Sequence, residues 1–133
     1  MFHTTVQSTH LDQFGHVNNA RFFEYFEWAR WDWAARHGFD FHEYMARGLS
    51  PAAVWMEISF HRELRFPDDV TIATEVSRIG EKSFTLLQRL FSGEDNLSAT
   101  LSVKLVFVES TKKRAVLLPP LFRERLQQMK EAS

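Results

Sequence analysis

Between Ala20 and about His37 the chain carries a helical pattern too apolar to be covered on one side only. Phe22, Phe26, Ala29 and Trp33 recur at spacings of four, three and four, which is one stripe of an α-helix. Phe23, Tyr25, Trp28 and Trp31 extend the apolar surface well beyond that stripe. Glu24, Glu27, Arg30 and Asp32 supply what polar side remains, with Glu27 and Arg30 at a helix pairing distance worth a few tenths of a kcal/mol. Such a helix is expected to be enclosed by the rest of the chain. With 133 residues, of which 44% are hydrophobic, the chain has enough material for one core and too little for two. A single domain spanning 1–133 is the expectation.

Beyond the helix the chain is mostly strand-like. Gly38 is a stop signal, and 39–47 reads as a short second helix ending near Gly48. Ser50-Pro51 is read as a break. Ala53 to Leu64 alternates, with Val54, Met56, Ile58 and Phe60 on one face. Val70 to Ile79 alternates again, Val70, Ile72 and Val76 pointing inward. Gly80-Glu81-Lys82 and 92–96 are hairpin connections flanking a strand from Ser83 to Phe91. Leu97 to Glu109 is the clearest strand, with Leu101, Val103, Leu105 and Phe107 on one face. Ala115-Val116-Leu117 is a last short strand, and 121–130 a short amphipathic helix. Before the long helix, Phe2 to Thr9 is a strand. The order is therefore β-α-β-β-β-β with a short C-terminal helix: an α+β domain in which one antiparallel sheet wraps the long helix. The outer face and the edges of that sheet need cover, so a homodimer or homotetramer is expected.

The stretch His10-Leu11-Asp12-Gln13-Phe14-Gly15-His16-Val17-Asn18-Asn19 leads into the long helix. An acid stands at the mouth of a glycine turn, and Asn18 or Asn19 is the N-cap. The first N–H groups of a helix lack intrahelical partners, and the helix dipole adds partial positive charge there. One loop thus brings a base or nucleophile, Asp12, close to donors suited to a carbonyl oxygen gaining negative charge. The plainer account of the same residues is a capped helix start with a surface Asp.

Several classes of function are excluded or disfavoured. There is no cysteine, so disulfides, a Cys nucleophile, Cys-based zinc and Fe–S clusters are out. A net charge of -1 with mixed signs gives no footprint for nucleic acid. No apolar run is long enough for a membrane, and no secretory signal opens the sequence, so a cytoplasmic protein is expected. His37 and His42 are five apart and no His-Glu-x-x-His occurs, which argues against a metal site. No Gly-x-Ser-x-Gly elbow is present. No cofactor is expected.

The element order resembles the hotdog fold. The loop Asp12-Gln13-Phe14-Gly15-His16-Val17-Asn18-Asn19 is similar to the signature of the 4-hydroxybenzoyl-CoA thioesterase class of that fold. Its Gly-His-Val-Asn-Asn variant, with Arg21-Phe22-Phe23-Glu24 and Ala29-Arg30 after it, resembles the bacterial long-chain acyl-CoA thioesterases of the class. Phe66-Pro67 with Asp69, and Gly80-Glu81-Lys82-Ser83, agree as well. The resemblance implies hydrolysis of acyl-CoA, medium- to long-chain, to free acid and CoA. It implies that Asp12 attacks the thioester carbonyl or activates the water that does. Gly15 matches the turn glycine, and Asn19 the helix-start position whose backbone N–H holds the carbonyl oxygen. Asn19 stands where founding members often have Tyr, which removes an aromatic wall. His16 is common in this variant, where it fixes the loop or takes part in proton transfer. Ser83 matches a position near the substrate.

Other residues have two readings. Phe22, Phe26, Trp28, Trp55 and Met56 either line an acyl tunnel or pack the core. Arg62, Arg65, Lys82 and Arg89 either meet CoA phosphates or face solvent. Glu24 and Glu27 are helix carboxylates of the kind another hotdog class uses, though surface ion pairing is the simpler account. His10 and His61 read as local hydrogen-bonding residues. Two alternatives to hydrolysis are a non-catalytic acyl-CoA binder and a hydratase-dehydratase acting on acyl-CoA or acyl carrier protein, the latter through His16 and Glu27.

Overall fold

The computed structural model describes residues 1–132. Strand β1 (Phe2–Thr5) is followed by a single 3-10 turn (Ser8–His10) and helix α1 (Asn19–Arg36). Helix α2 (Phe41–Ala46) leads to strands β2 (Leu49–Phe60), β3 (Asp69–Ile79), β4 (Ser83–Ser92), β5 (Asn96–Glu109) and β6 (Arg114–Val116), and helix α3 (Pro120–Ala132) closes the order. The strands form one six-stranded sheet in the order β1-β3-β4-β5-β2, with β6 beside β5. β1 runs antiparallel to β3 with Phe2 opposite Ile72, and β6 antiparallel to β5 with Val116 opposite Phe107. The expected α+β architecture is what forms.

Three boundaries differ by four residues from the periodicity reading, each for a physical reason. β1 ends at Thr5 because the chain turns at Gln7, whose N–H bonds the His10 ring rather than a strand. β2 starts at Leu49 and runs through Pro51 instead of breaking there. A proline lacks only an N–H, and β2 is an edge strand with a side that needs none. β2 also stops at Phe60, because His61 and Arg62 both turn their N–H groups to the Ser98 carbonyl.

The chain forms two compact units. The first comprises 1–33, 58–74 and 88–101. Its core is the expected α1 stripe, with Phe22, Phe26, Ala29 and Trp33 all buried, joined by Tyr25, Leu64, Ile72, Leu90 and Leu101. Gln88 of β4 is fully buried beneath α1. Its amide donates to the Phe26 carbonyl and the Thr74 hydroxyl, both at 3.1 Å, and accepts from Arg30 Nη1 at 3.0 Å. A buried amide costs free energy unless it is satisfied, and this one is satisfied on both ends. Burial pushes the Arg30 guanidinium below its ordinary pKa, against the opposing charge of Glu27.

The second unit comprises 34–57, 75–87 and the chain from Ser102 onward. Its core is aromatic: Phe122 of α3 meets Phe39 at 4.6 Å, Phe107 at 4.9 Å and Phe84 at 5.1 Å between ring centroids. The Phe107 and Phe84 contacts are edge-to-face, a geometry that adds to plain area burial. Asp40 caps α2 through its Oδ1, 3.1 Å from the Glu43 N–H.

One expected face is not covered. Val54, Met56 and Phe60 of β2 are exposed, and so is Trp55 on the other side of the strand. Trp28 and Trp31 of α1 also keep part of their surface outside.

Candidate active site

The Asp12 loop is closed by its own backbone. The Asp12 N–H donates to the His16 carbonyl at 2.7 Å, and the Gly15 N–H to the Asp12 carbonyl at 3.1 Å. Leu11 and Val17 form an antiparallel bridge behind them. Gly15 has φ +81, a conformation that side chains disfavour, so glycine is what lets the chain reverse here. The Asp12 carboxylate then folds over the turn. Its Oδ1 accepts from the Phe14 N–H at 2.9 Å and the His16 N–H at 3.3 Å. Oδ2 takes no hydrogen bond among the described residues, so one oxygen is anchored and the other is available.

The helix start is equally defined. Asn18, not Asn19, is the cap: its Oδ1 accepts from the Ala20 N–H at 2.8 Å, and its carbonyl accepts from Arg21 at 2.9 Å. The Val17 N–H is bound to the Leu64 carbonyl at 2.9 Å, and the Asn18 N–H to the His10 carbonyl at 3.3 Å. That leaves the Asn19 N–H as the first amide of α1 with no acceptor among the described residues.

Asp12 and Asn19 share an open cleft of about 340 Å³ with His16, Val17, Phe22, Phe60, His61, Arg62 and Glu63. Five residues expected from the sequence are therefore brought together: Asp12, His16, Asn19, Phe22 and Arg62. Gly15 shapes the loop from behind. Phe22 and Phe60 meet edge-to-face at 5.2 Å and form an apolar wall. His16 Nε2 lies 3.1 Å from Glu63 Oε2, which Arg65 also approaches at 3.2 Å. His61 Nε2 is 3.3 Å from the Thr100 hydroxyl.

Other candidates fall elsewhere. Phe26 is fully buried and does not line the cleft. Ser83 opens β4 in the second unit, where its carbonyl accepts from Gly80. Trp55 and Met56 sit exposed on β2 and line no part of this cleft. Glu24 is engaged by Arg21 at 3.0 Å. Glu27 is exposed on α1, and the carboxylate beside His16 is Glu63. Sequence reasoning misses Glu63 and sees His61 only as a local hydrogen-bonding residue, because no helical or strand spacing links either to the loop. Among the described residues no cluster of three His, Asp or Glu side chains is placed to hold a metal ion. Among the described residues no helix is long and apolar enough to cross a membrane.

The sequence matches the family model of the thioesterase-like superfamily over residues 6–126. The chain belongs to that superfamily. This thioesterase is 30% identical over 125 residues to the long-chain acyl-CoA thioesterase FadM of Escherichia coli (strain K12), a match covering 93% of this chain and 94% of that one. Among solved structures it is similar to YbaW, a probable thioesterase from Escherichia coli, with TM-score 0.84 and 29% identity over 96% of both chains. It also shares the fold of the Staphylococcus aureus protein SAV2348, solved in complex with CoA, with TM-score 0.91 at 18% identity over 98% of this chain and 82% of that one. The thioesterase has the hotdog fold, with α1 as the long central helix.

Proposed function

We propose that this thioesterase hydrolyses medium- to long-chain acyl-CoA to free acid and CoA at the Asp12 cleft. The observation that carries the reading is the Asp12 carboxylate itself, anchored through Oδ1 by two backbone N–H groups and open at Oδ2, in one cleft with the unpaired Asn19 N–H. The 30% identity to a long-chain acyl-CoA thioesterase supports the substrate class.

Oδ2 attacks the thioester carbonyl or takes a proton from the water that attacks it. A C–O bond forms, and the carbonyl oxygen gains negative charge toward the Asn19 N–H and the α1 dipole. The C–S bond then breaks, and CoA leaves as a thiolate, which needs little help from a general acid; where Oδ2 itself has attacked, a water then adds to the resulting Asp12 anhydride, whose C–O bond breaks to release the free acid and restore the carboxylate. His16 stands in the same cleft to exchange a proton with the thiolate. Phe22 and Phe60 contact the acyl chain near the carbonyl, and Arg62 takes a phosphate of CoA.

The domain spans 1–133 and works in the cytoplasm as a homodimer or homotetramer. The support for assembly is β2, a twelve-residue strand whose outer edge is unpaired in the sheet and whose Val54, Trp55, Met56 and Phe60 are exposed. A second copy pairing along β2 supplies the missing backbone partners and covers that apolar row.

The test is thiol release, followed with a thiol-reactive dye, across saturated acyl-CoAs from short to long plus one aromatic acyl-CoA. Wild type is expected to turn over the longer chains, and Asp12→Ala to lose at least about a hundredfold in kcat while folding normally. Equal turnover by Asp12→Ala overturns the assignment. Binding without thiol release makes the chain an acyl-CoA binder, and enoyl or 3-hydroxyacyl product makes it a hydratase-dehydratase.

A further inference from the structure

His10 stands two residues before Asp12 and outside the cleft. Its ring Nδ1 receives two donors. The backbone N–H of Gln7 lies 3.1 Å away, and the Tyr25 hydroxyl 2.7 Å away. A backbone amide can only donate, so Nδ1 must carry a lone pair and the imidazole proton must sit on Nε2. Tyr25 then donates as well. It is fully buried, and burial pushes its pKa up to about 12, so the phenol keeps the proton that it shares with Nδ1. The imidazole is further held by Tyr25 and Trp28 of α1, with ring centroids at 5.4 and 6.2 Å.

The backbone of His10 has a second attachment. Its carbonyl accepts from the Asn18 N–H at 3.3 Å, and Asn18 is the cap of α1. The next rung of the same bridge is the Asp12 N–H on the His16 carbonyl. One residue therefore joins Gln7 at the head of the 3-10 turn, the body of α1 and the α1 cap at once. Asp12 comes two residues after it on one side, and Asn19 comes directly after Asn18 on the other.

We propose that His10 is the positioning residue of this site: its neutral, Nε2-protonated ring ties the Asp12 loop to Tyr25 of α1 and so fixes the Asp12 carboxylate relative to the Asn19 N–H. This rests on the reading of Asp12 and Asn19 as the reacting pair. It assigns to His10 no contact with substrate. The acceptor at the δ position matters, and the imidazole's far nitrogen does not.

That distinction gives the test. In His10→Asn the side-chain amide oxygen falls where Nδ1 was, whereas in His10→Gln it falls one bond further out. With an acyl-CoA that wild type turns over, His10→Ala and His10→Gln are expected to lose kcat by about tenfold to a hundredfold with KM little changed, the size of effect that misplaced reacting groups produce. His10→Asn is expected to stay within about threefold of wild type. Amide hydrogen exchange, which needs no turnover, is read on the same four proteins. The Asp12 and Asn18 amides are expected to lose protection in His10→Ala and His10→Gln and to keep it in His10→Asn. Full protection and full kcat in His10→Ala overturn the proposal, as does a His10→Asn protein as impaired as His10→Ala. If Asp12→Ala proves as active as wild type, the functional reading fails while the exchange data still decide whether His10 holds the loop.

Discussion

Glu63 meets His16 in the cleft, with its Oε2 3.1 Å from the imidazole Nε2 and Arg65 held on the same oxygen at 3.2 Å. Both side chains keep part of their surface in solvent, so the pair contributes little to stability, on the order of a few tenths of a kcal/mol. Its effect is to turn the His16 ring. Glu63→Gln is expected to leave the urea midpoint almost unchanged and to lower kcat/KM by about threefold to tenfold, the cost of loosening His16 if it exchanges a proton as proposed. A large loss of stability with unchanged kcat/KM would make the contact structural instead.

Asn18 separates the cap from the charge. Asn18→Ala removes the acceptor for the Ala20 N–H and is expected to cost about 1 kcal/mol in chemical denaturation. Asn18→Asp keeps that acceptor and suits the α1 dipole, so stability is retained. It also places a negative charge one residue from the Asn19 N–H. Its kcat is expected to fall by about tenfold although the protein is as stable as wild type, because the developing oxyanion is opposed. Wild-type kcat in Asn18→Asp would remove the Asn19 N–H from the mechanism.

Tyr25 predicts an alkaline weakness. Burial raises its pKa from 10.0 to about 12. The folded chain thus holds the phenol's proton more tightly than the unfolded chain does. Between about pH 10 and about 12 unfolding releases that proton, and stability falls as pH rises. Below that window the contribution is complete. Urea midpoints measured across it should fall more steeply for wild type than for Tyr25→Phe, and parallel curves would contradict the assignment.

The β2 edge is tested by mass. Sedimentation of wild type at micromolar concentration is expected to give at least twice the 15.6 kDa of one chain. Val54→Lys places a charge on the exposed apolar row and is expected to shift that mass toward one chain. A wild-type protein that sediments as a single chain would end the proposal.

The sequence carried the buried half of this fold more clearly than the exposed half. The α1 stripe and the inward faces of β3 and β5 were readable because burial and periodicity coincide at Phe22, Phe26, Val70, Ile72 and Val103. On β2 they part: Val54, Met56 and Phe60 alternate as a buried face would, yet remain exposed. Alternation reports which side chains share a face, not what covers it. The site divides similarly. Asp12, Gly15 and Asn19 were legible because a turn, a cap and an acid lie within eight residues of one loop. Glu63 was not, because the strand between it and the loop sets its position, and no local pattern records that. The sequence marks His10 only as a local hydrogen-bonding residue; its bond to Tyr25, fifteen residues away, is visible only in three dimensions.

Gln88 has a consequence for how this scaffold diversifies. Its amide is keyed to the Phe26 carbonyl and the Arg30 guanidinium of α1 and to the Thr74 hydroxyl of β3. A helix latched in this way is held against sliding, since a slip of one residue, roughly 1.5 Å, breaks both of its links to Gln88 together. On the proposed function, the depth available to an acyl chain is then tuned by exchanging side chains around a fixed helix. Inserting or deleting a residue between Asn19 and Phe26 would drag the start of α1 out of the cleft it shares with Asp12.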